Sequence, residues 1–549
     1  MKIDRRKALA LFGLGAATPV AAQSSAVSFQ HGVASGDPTQ DKVVIWTRIT
    51  PAQPGADISY KWSLNPIDRR AGGAKSGSGV TGPDRDYTVK VDVTGLDAGR
   101  AYTFDFEAGG VKSPMGRTQT LPDGPAKDVV MAVASCSLFP NGYFNAYQAI
   151  ADLPRVDVVL HLGDYIYEYG GPGSYGMDSA VAGTRPHDPP REIVSLADYR
   201  RRHAQYKADP QLQAAHAKAP WIVVWDDHET ANDSWLHGAE NHQAPAEGDW
   251  NERKARALKA YYEWMPIREP AAGVGLAEAA ARSFRFGDLA SLIMVETRLA
   301  ARDKQVSVEA DAPEVDGKRD LTALKAKLAD PARRMMSAQQ EAWVGEELKR
   351  SVGAGHAWQV IGNQVVMARV MPPSPKKELT AEQYASIPEA AKRRVARYEA
   401  GAALGLPAGL DMWDGYPADR ERLYDVFKAA KARPVVLSGD SHSFWANELS
   451  DAAGKRVAVE FGTTGITSPG AGEVAPGINA GDLIARANPE VLFNDQVSKG
   501  FVLLTLTREA AKAEMVAVST ITEKTFTTKA VKTYRATPDG MGVSGLSEA

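Results

Sequence analysis

The hydrophobic pattern along this chain changes character after residue 122, and that change divides it. Residues 27–122 carry short runs in which apolar and polar side chains alternate: Val43-Val-Ile-Trp-Thr-Arg48, Ile58-Ser-Tyr-Lys-Trp62, Tyr87-Thr-Val-Lys-Val-Asp-Val93 and Tyr102-Thr-Phe-Asp-Phe106, with Gly, Pro and Asp between them. A period of two with turn residues at regular spacing predicts a small N-terminal β-sandwich. The stretch Gly95-Leu-Asp-Ala-Gly-Arg-Ala-Tyr102 looks like the turn before a fibronectin-III-type strand, and Pro122-Asp-Gly-Pro-Ala126 reads as a linker.

Beyond the linker the strands become continuous apolar runs with polar tips: Val129–Ser135, Val156–Leu162, Trp221–Trp225, Ser291–Val295, Trp358–Ile361 and Pro434–Ser438. Runs of that kind belong to strands buried on both faces, which predicts an α/β fold, a layered core covered by helices, over residues 127–536. Helical patterns occupy 250–262, 337–348 and 387–398, and residues 537–549 are expected to form a flexible tail. In open α/β folds the chemistry gathers beyond the carboxyl ends of the strands.

Composition narrows the reading. With 44% hydrophobic and 24% charged residues the chain is an ordinary globular one, and its 549 residues suffice for a large domain and a smaller partner. A net charge of -3 gives no nucleic-acid-binding footprint. Residues 1–22 join a charged head containing Arg5 and Arg6 to a short apolar run ending in small residues, the pattern of an export signal with twin-arginine character. That run is too short to span a bilayer, and no later segment is long enough to be transmembrane. A periplasmic or secreted protein is expected, with the export machinery as its partner. The single cysteine, Cys136, can form no internal disulfide, and a lone thiol in an oxidising compartment needs burial or ligation.

The candidate chemistry lies on four strand tips: Ser135-Cys136-Ser137; Gly163-Asp164-Tyr165-Ile166-Tyr167-Glu168; Asp226-Asp227-His228-Glu229-Thr230-Ala231-Asn232-Asp233; and Gly439-Asp440-Ser441-His442-Ser443. Four such tips in one chain are difficult to explain as solvated loops. Their order resembles the metallophosphoesterase signature, with Cys136, Tyr167, Asp227 and Asp440 at positions where the alkaline phosphatase D family departs from it. Gly32-Val-Ala-Ser-Gly-Asp37, Ala197–His203, Gly362-Asn-Gln364 and Asp411-Met-Trp-Asp-Gly-Tyr-Pro417 resemble the same family.

That resemblance implies a layered α/β metallophosphatase core preceded by a fibronectin-III-like β-sandwich, and a metal-dependent phosphatase that releases inorganic phosphate from small phosphomonoester substrates. The runner-up is a phosphodiesterase or phospholipase-D-like hydrolase on the same centre. By position, Cys136, Asp164, Tyr167 and His442 would hold a trivalent ion, with Asp164 bridging to a second ion completed by Asp227, Asp440 and Asn232. Thiolate and phenolate donors favour Fe(3+), and the carboxylates suit Ca(2+), so a mixed-metal centre is expected. His228 is implied as the group that stabilises or protonates the leaving alkoxide, or else as a hydrogen-bond partner of Asp227. Asp226 and Asp233 read equally well as helix caps, His161 as a core histidine, and Arg298 as a phosphate clamp or an ordinary surface arginine.

Overall fold

The computed structural model describes residues 26–549 other than 69–71, 172, 316–317, 475–478 and 541, so the expected export signal at 1–22 lies outside the described residues. In the N-terminal segment, alternation translates directly into two β layers. On the Ala101–Ala108 strand Tyr102, Phe104, Phe106 and Ala108 turn inward. They pack with Leu64 and, from the facing layer, with Val43, Ile45, Val89 and Val93. One layer comprises Ile58–Pro66, Lys75–Thr81, Ala101–Ala108, Val111–Lys112 and Gly116–Gln119.

The other layer, Val33–Gly36, Lys42–Arg48 and Thr88–Thr94, does not end at its own edge. Gly36 pairs in parallel with Trp221, so these strands prolong the main sheet of the larger unit. Only glycine permits that approach, because a Cβ at position 36 would fall 2.1 Å from the Pro266 carbonyl oxygen and 2.7 Å from that of Trp221.

The main sheet has ten strands. Its parallel centre is Asp128–Ala134, Val158–His161 and Trp221–Val223, flanked on the far side by the antiparallel strands Lys499–Thr507, Ala511–Val518, Thr528–Ala536 and Ser547–Glu548. A second sheet of seven strands holds the parallel run Ala290–Met294, Trp358–Gly362, Pro434–Ser438 and Arg456–Gly462. The first three of these strands are buried at every position, which is why they read as unbroken apolar runs.

Helices cover the sheets. The patterns at 250–262, 337–348 and 387–398 correspond to helices Trp250–Trp264, Ala338–Gly353 and Glu389–Leu404. Asp249 and Ser337 cap the first two by accepting backbone N–H bonds from Glu252 and Gln340. Among the described residues no helix is long and apolar enough to cross a membrane.

Within residues 537–549, expected to form a flexible tail, Pro538–Asp539 pairs with Gly542–Val543. Ser547–Glu548 adds to the edge of the ten-stranded sheet opposite Tyr534 and Arg535, and Val543 is buried. A short polar segment is held because the edge strand offers it free backbone groups, something composition does not reveal.

The two sheets touch where their strands end. Ser135 bridges in parallel to Gly465, the Ile466 N–H donates to the Ser135 carbonyl at 3.0 Å, and the Thr463 hydroxyl donates to the Val133 carbonyl at 2.9 Å. The carboxyl ends of both parallel runs therefore open on one crevice.

Candidate metal centre

Several strand tips turn sharply into this crevice through residues in the left-handed region. Of nine non-glycine residues with positive φ among the described residues, five stand here: Cys136 (60°), Asp164 (55°), Asp233 (52°), Asp440 (60°) and His442 (56°). Such conformations cost about 1–3 kcal/mol each and persist where the surroundings over-determine them. The surroundings here are tight. Gly163, at φ 107°, leaves no room for a Cβ, which would lie 2.3 Å from the Asp226 Cβ. The Cys136 N–H donates to the Gly163 carbonyl at 3.2 Å, and that of Ser137 to the Asp164 carbonyl at 2.9 Å.

Buried Glu229 ties two tips together. Its Oε2 accepts from the N–H groups of Asp164 (3.1 Å) and Asp226 (2.8 Å), and its Oε1 from that of Tyr165 (2.5 Å).

The side chains of the tips converge. Cys136, Asp164 and His442 offer ligand atoms all within 4.8 Å of one another, as do Asp226, Asp227 and Asp440, and also Asp164, Asp227 and His228. The Tyr167 hydroxyl belongs to the first group, at 3.0 Å from Asp164 Oδ2, 3.3 Å from His442 Nε2 and 2.6 Å from Ser468 Oγ. His442 donates from Nδ1 to the Pro469 carbonyl at 3.0 Å, which turns Nε2 toward Tyr167 and Asp164.

Asn232 is placed differently. Its amide oxygen accepts from the Tyr169 hydroxyl at 3.2 Å and its nitrogen donates to Glu240 at 3.1 Å. His161 is buried against Tyr147 and stacked on Trp221.

Arg298 is not a surface residue. Wholly buried, its guanidinium donates to Asp226, to both oxygens of Asp411 at 2.8 Å and to Asp440 at 3.0 Å, with Asp227 at 3.9 Å. Asp226 is therefore an ion-pair partner and no helix cap. Asp233 donates its backbone N–H to Asp227 at 2.6 Å.

One guanidinium among so many acids leaves excess negative charge. Burial, reinforced by neighbouring carboxylates, pushes Asp164 and Asp440 well above the usual carboxyl range, Asp226 up to about 6 and Asp233 up to about 8. Burial and then Asp164 likewise raise the Cys136 thiol and the Tyr167 phenol. His442 is taken down to about 3 by burial, which leaves the neutral ring a metal requires. Burial opposes charge on His228, but Asp227, Glu168 and Asp164 overrule it and raise its pKa well above the imidazole range. His228 Nδ1 lies 2.7 Å from Glu168 Oε2.

Asp164 Oδ1 and Asp226 Oδ2 are buried without a hydrogen-bond partner. Orphaned acceptors, protonation enforced by crowding, a neutral imidazole and thiol and phenol donors together fit cations and little else.

Sequence reasoning passed over Glu168, Glu229 and Asp411 as functional residues. Each lies inside a stretch already singled out, and an acid in a segment otherwise bound for burial was the available signal.

The family model described as PhoD-like phosphatase matches residues 131–515, and that of the PhoD-like phosphatase N-terminal domain matches residues 15–122. Alkaline phosphatase D of Bacillus subtilis (strain 168) is 33% identical over 537 residues, covering 94% of this chain and 82% of that protein. A solved structure of PhoD superposes with a TM-score of 0.78 at 32% identity, covering 96% of this chain and 92% of that one.

Proposed function

The chain belongs to the PhoD-like phosphatase family and is a phosphoric ester hydrolase, and from that premise we propose that it acts outside the cytoplasm, releasing inorganic phosphate from small phosphomonoesters with the help of two cations in the crevice. The convergence of Cys136, Asp164 and His442 beside Asp226, Asp227 and Asp440 carries this reading. Cys136, Asp164, Tyr167 and His442 would hold an Fe(3+)-type ion. Asp227 and Asp440, sharing Asp164 and flanked by Asp226, would hold Ca(2+). Asn232 is left to its partners Tyr169 and Glu240.

Bound there, the ions would polarise a phosphoryl oxygen and acidify water at neutral pH. The chain's own residues do the rest. Glu168 engages Nδ1 of His228 and thereby directs the other ring nitrogen into the crevice, where a charged imidazole delivers its proton to the departing alkoxide. Arg298 holds Asp226, Asp411 and Asp440 in a fixed fan, so that the acids are oriented before any cation arrives. Export is supported by the Arg5-Arg6 head and the apolar run that follows.

Metal analysis of the purified protein, with hydrolysis of p-nitrophenyl phosphate and its bis-ester in Ca(2+) and in chelator, tests the proposal. Expected are bound iron, activity lost on chelation, faster monoester cleavage, and a visible absorption band that disappears in Cys136→Ser and weakens in Tyr167→Phe. A colourless protein indifferent to chelator would sink it.

A further inference from the structure

The crevice is open on one side. There the side chain of His442 is 15% exposed, those of Asp440 and Asp411 are 21% exposed, and Tyr175 is 38% exposed. An unbroken run of rings leads to that opening from the proton donor. The Tyr169 ring centroid lies 5.2 Å from that of His228, the Tyr175 centroid 5.5 Å from that of Tyr169, and Tyr175 stacks on His442 at 6.3 Å and 27°.

Tyr175 is held in this place. It stands between Gly173 (φ 87°) and Gly176 (φ 73°), and a Cβ at position 176 would fall 2.0 Å from Leu138 Cδ2, so that glycine is pressed against the core. The Tyr175 hydroxyl donates to the Pro469 carbonyl at 3.3 Å and lies 3.2 Å from His442 Nδ1. The Tyr169 hydroxyl is taken by Asn232. With both hydroxyls engaged inside the protein, what this wall presents to a substrate is ring surface.

We propose that Tyr175, backed by Tyr169, is a specificity-determining residue that favours phosphoesters whose leaving group carries a flat aromatic ring over those with an alkyl leaving group. The inference rests on the reading that the leaving group departs beside His228. Any such group must pass from His228 toward the opening, and Tyr169 and Tyr175 line that path. An aromatic ring gains offset or edge contacts there that an alkyl chain does not.

The test compares the metal-loaded wild type with Tyr175→Ala and Tyr175→Phe. Two ratios are measured: kcat/KM for phenyl phosphate over glycerol 3-phosphate, and affinity for phenylphosphonate over methylphosphonate by calorimetry. Aromatic contacts of this kind correspond to about a three- to tenfold preference, so Tyr175→Ala is expected to lower both ratios by that factor. Tyr175→Phe, which keeps the ring, is expected to retain them.

Phosphonate binding requires no turnover. If the wild type hydrolyses neither ester, the proposed function falls, while the affinities still decide the aromatic preference. Equal losses for aryl and alkyl compounds in Tyr175→Ala, a phenyl ligand bound no more tightly than a methyl one by the wild type, or a Phe variant that behaves like Ala would each overturn the inference.

Discussion

Replacing Arg298 by methionine keeps the length of a wholly buried side chain and removes the charge that Asp226, Asp411 and Asp440 share. Removing one partner of a buried ion pair costs about 3–5 kcal/mol, because the other is left uncompensated. Here the abandoned acids can take up protons, which holds the loss near the middle of that range at about 4 kcal/mol. With an unfolding entropy of about 2.1 cal/mol/K per residue, and a cooperative unit the size of the matched region 131–515, the melting temperature should fall by about 5 °C in chelator. Cations held by Asp227 and Asp440, as proposed, would supply positive charge to the same cluster, so in excess Ca(2+) and iron the gap between variant and wild type should narrow by half or more. Calorimetric melts of both proteins under both conditions measure the four temperatures. A gap below about 1 °C in chelator would show that the fan contributes no net stability, and a gap unchanged by cations would break the link between Arg298 and a metal site.

Burial pushes Glu229 and Asp233 up to about 8, so between about pH 4 and pH 8 the folded, chelated protein holds protons that the unfolded chain has released. The contribution of these two groups to stability is then greatest at the acid end of that window and declines as pH rises. Cations held among Asp226, Asp227 and Asp440 would offset the neighbouring negative charge that helps raise both groups and should flatten the slope, and melts across the window in chelator that show no decline would contradict the assignment. His228→Asn should slow cleavage of an alkyl phosphate by about 100-fold or more while changing p-nitrophenyl phosphate far less, since that leaving group departs without a proton; steady-state rates with both esters decide it. Glu229→Ala strips acceptors from the N–H groups of Asp164, Tyr165 and Asp226, each lost partner costing about 1–3 kcal/mol, so both the melting temperature and the retained metal should drop, with Glu229→Gln in between.

What could be seen in the sequence was local. An apolar run ending in Gly163-Asp164 or Gly439-Asp440 announces a buried strand and a polar tip within a few residues, and the tips carrying Cys136, Asp164, Asp227 and His442 were found that way. Hidden were the pairings made over long separations. Arg298 meets partners 72, 113 and 142 residues away, and before folding it looks like any other arginine. Asn232 sits in the same motif as Asp227, yet a single turn of chain hands it to Tyr169 and Glu240. The N-terminal alternation predicted β layers, but alternation says nothing about which strand edge will be met, and the junction at Gly36 and Trp221 depends on a missing Cβ.

The left-handed tips also foretell how this enzyme would respond to selection. Glycine in place of Cys136, Asp164, Asp440 or His442 would relieve left-handed torsional strain of up to about 1–2 kcal/mol at each position, so a screen for heat tolerance alone would reward the exchanges that erase the proposed metal donors. Thermal hardening of this scaffold has to be sought in the outer helices and the N-terminal layers, and any library that includes these four codons needs turnover as its second gate.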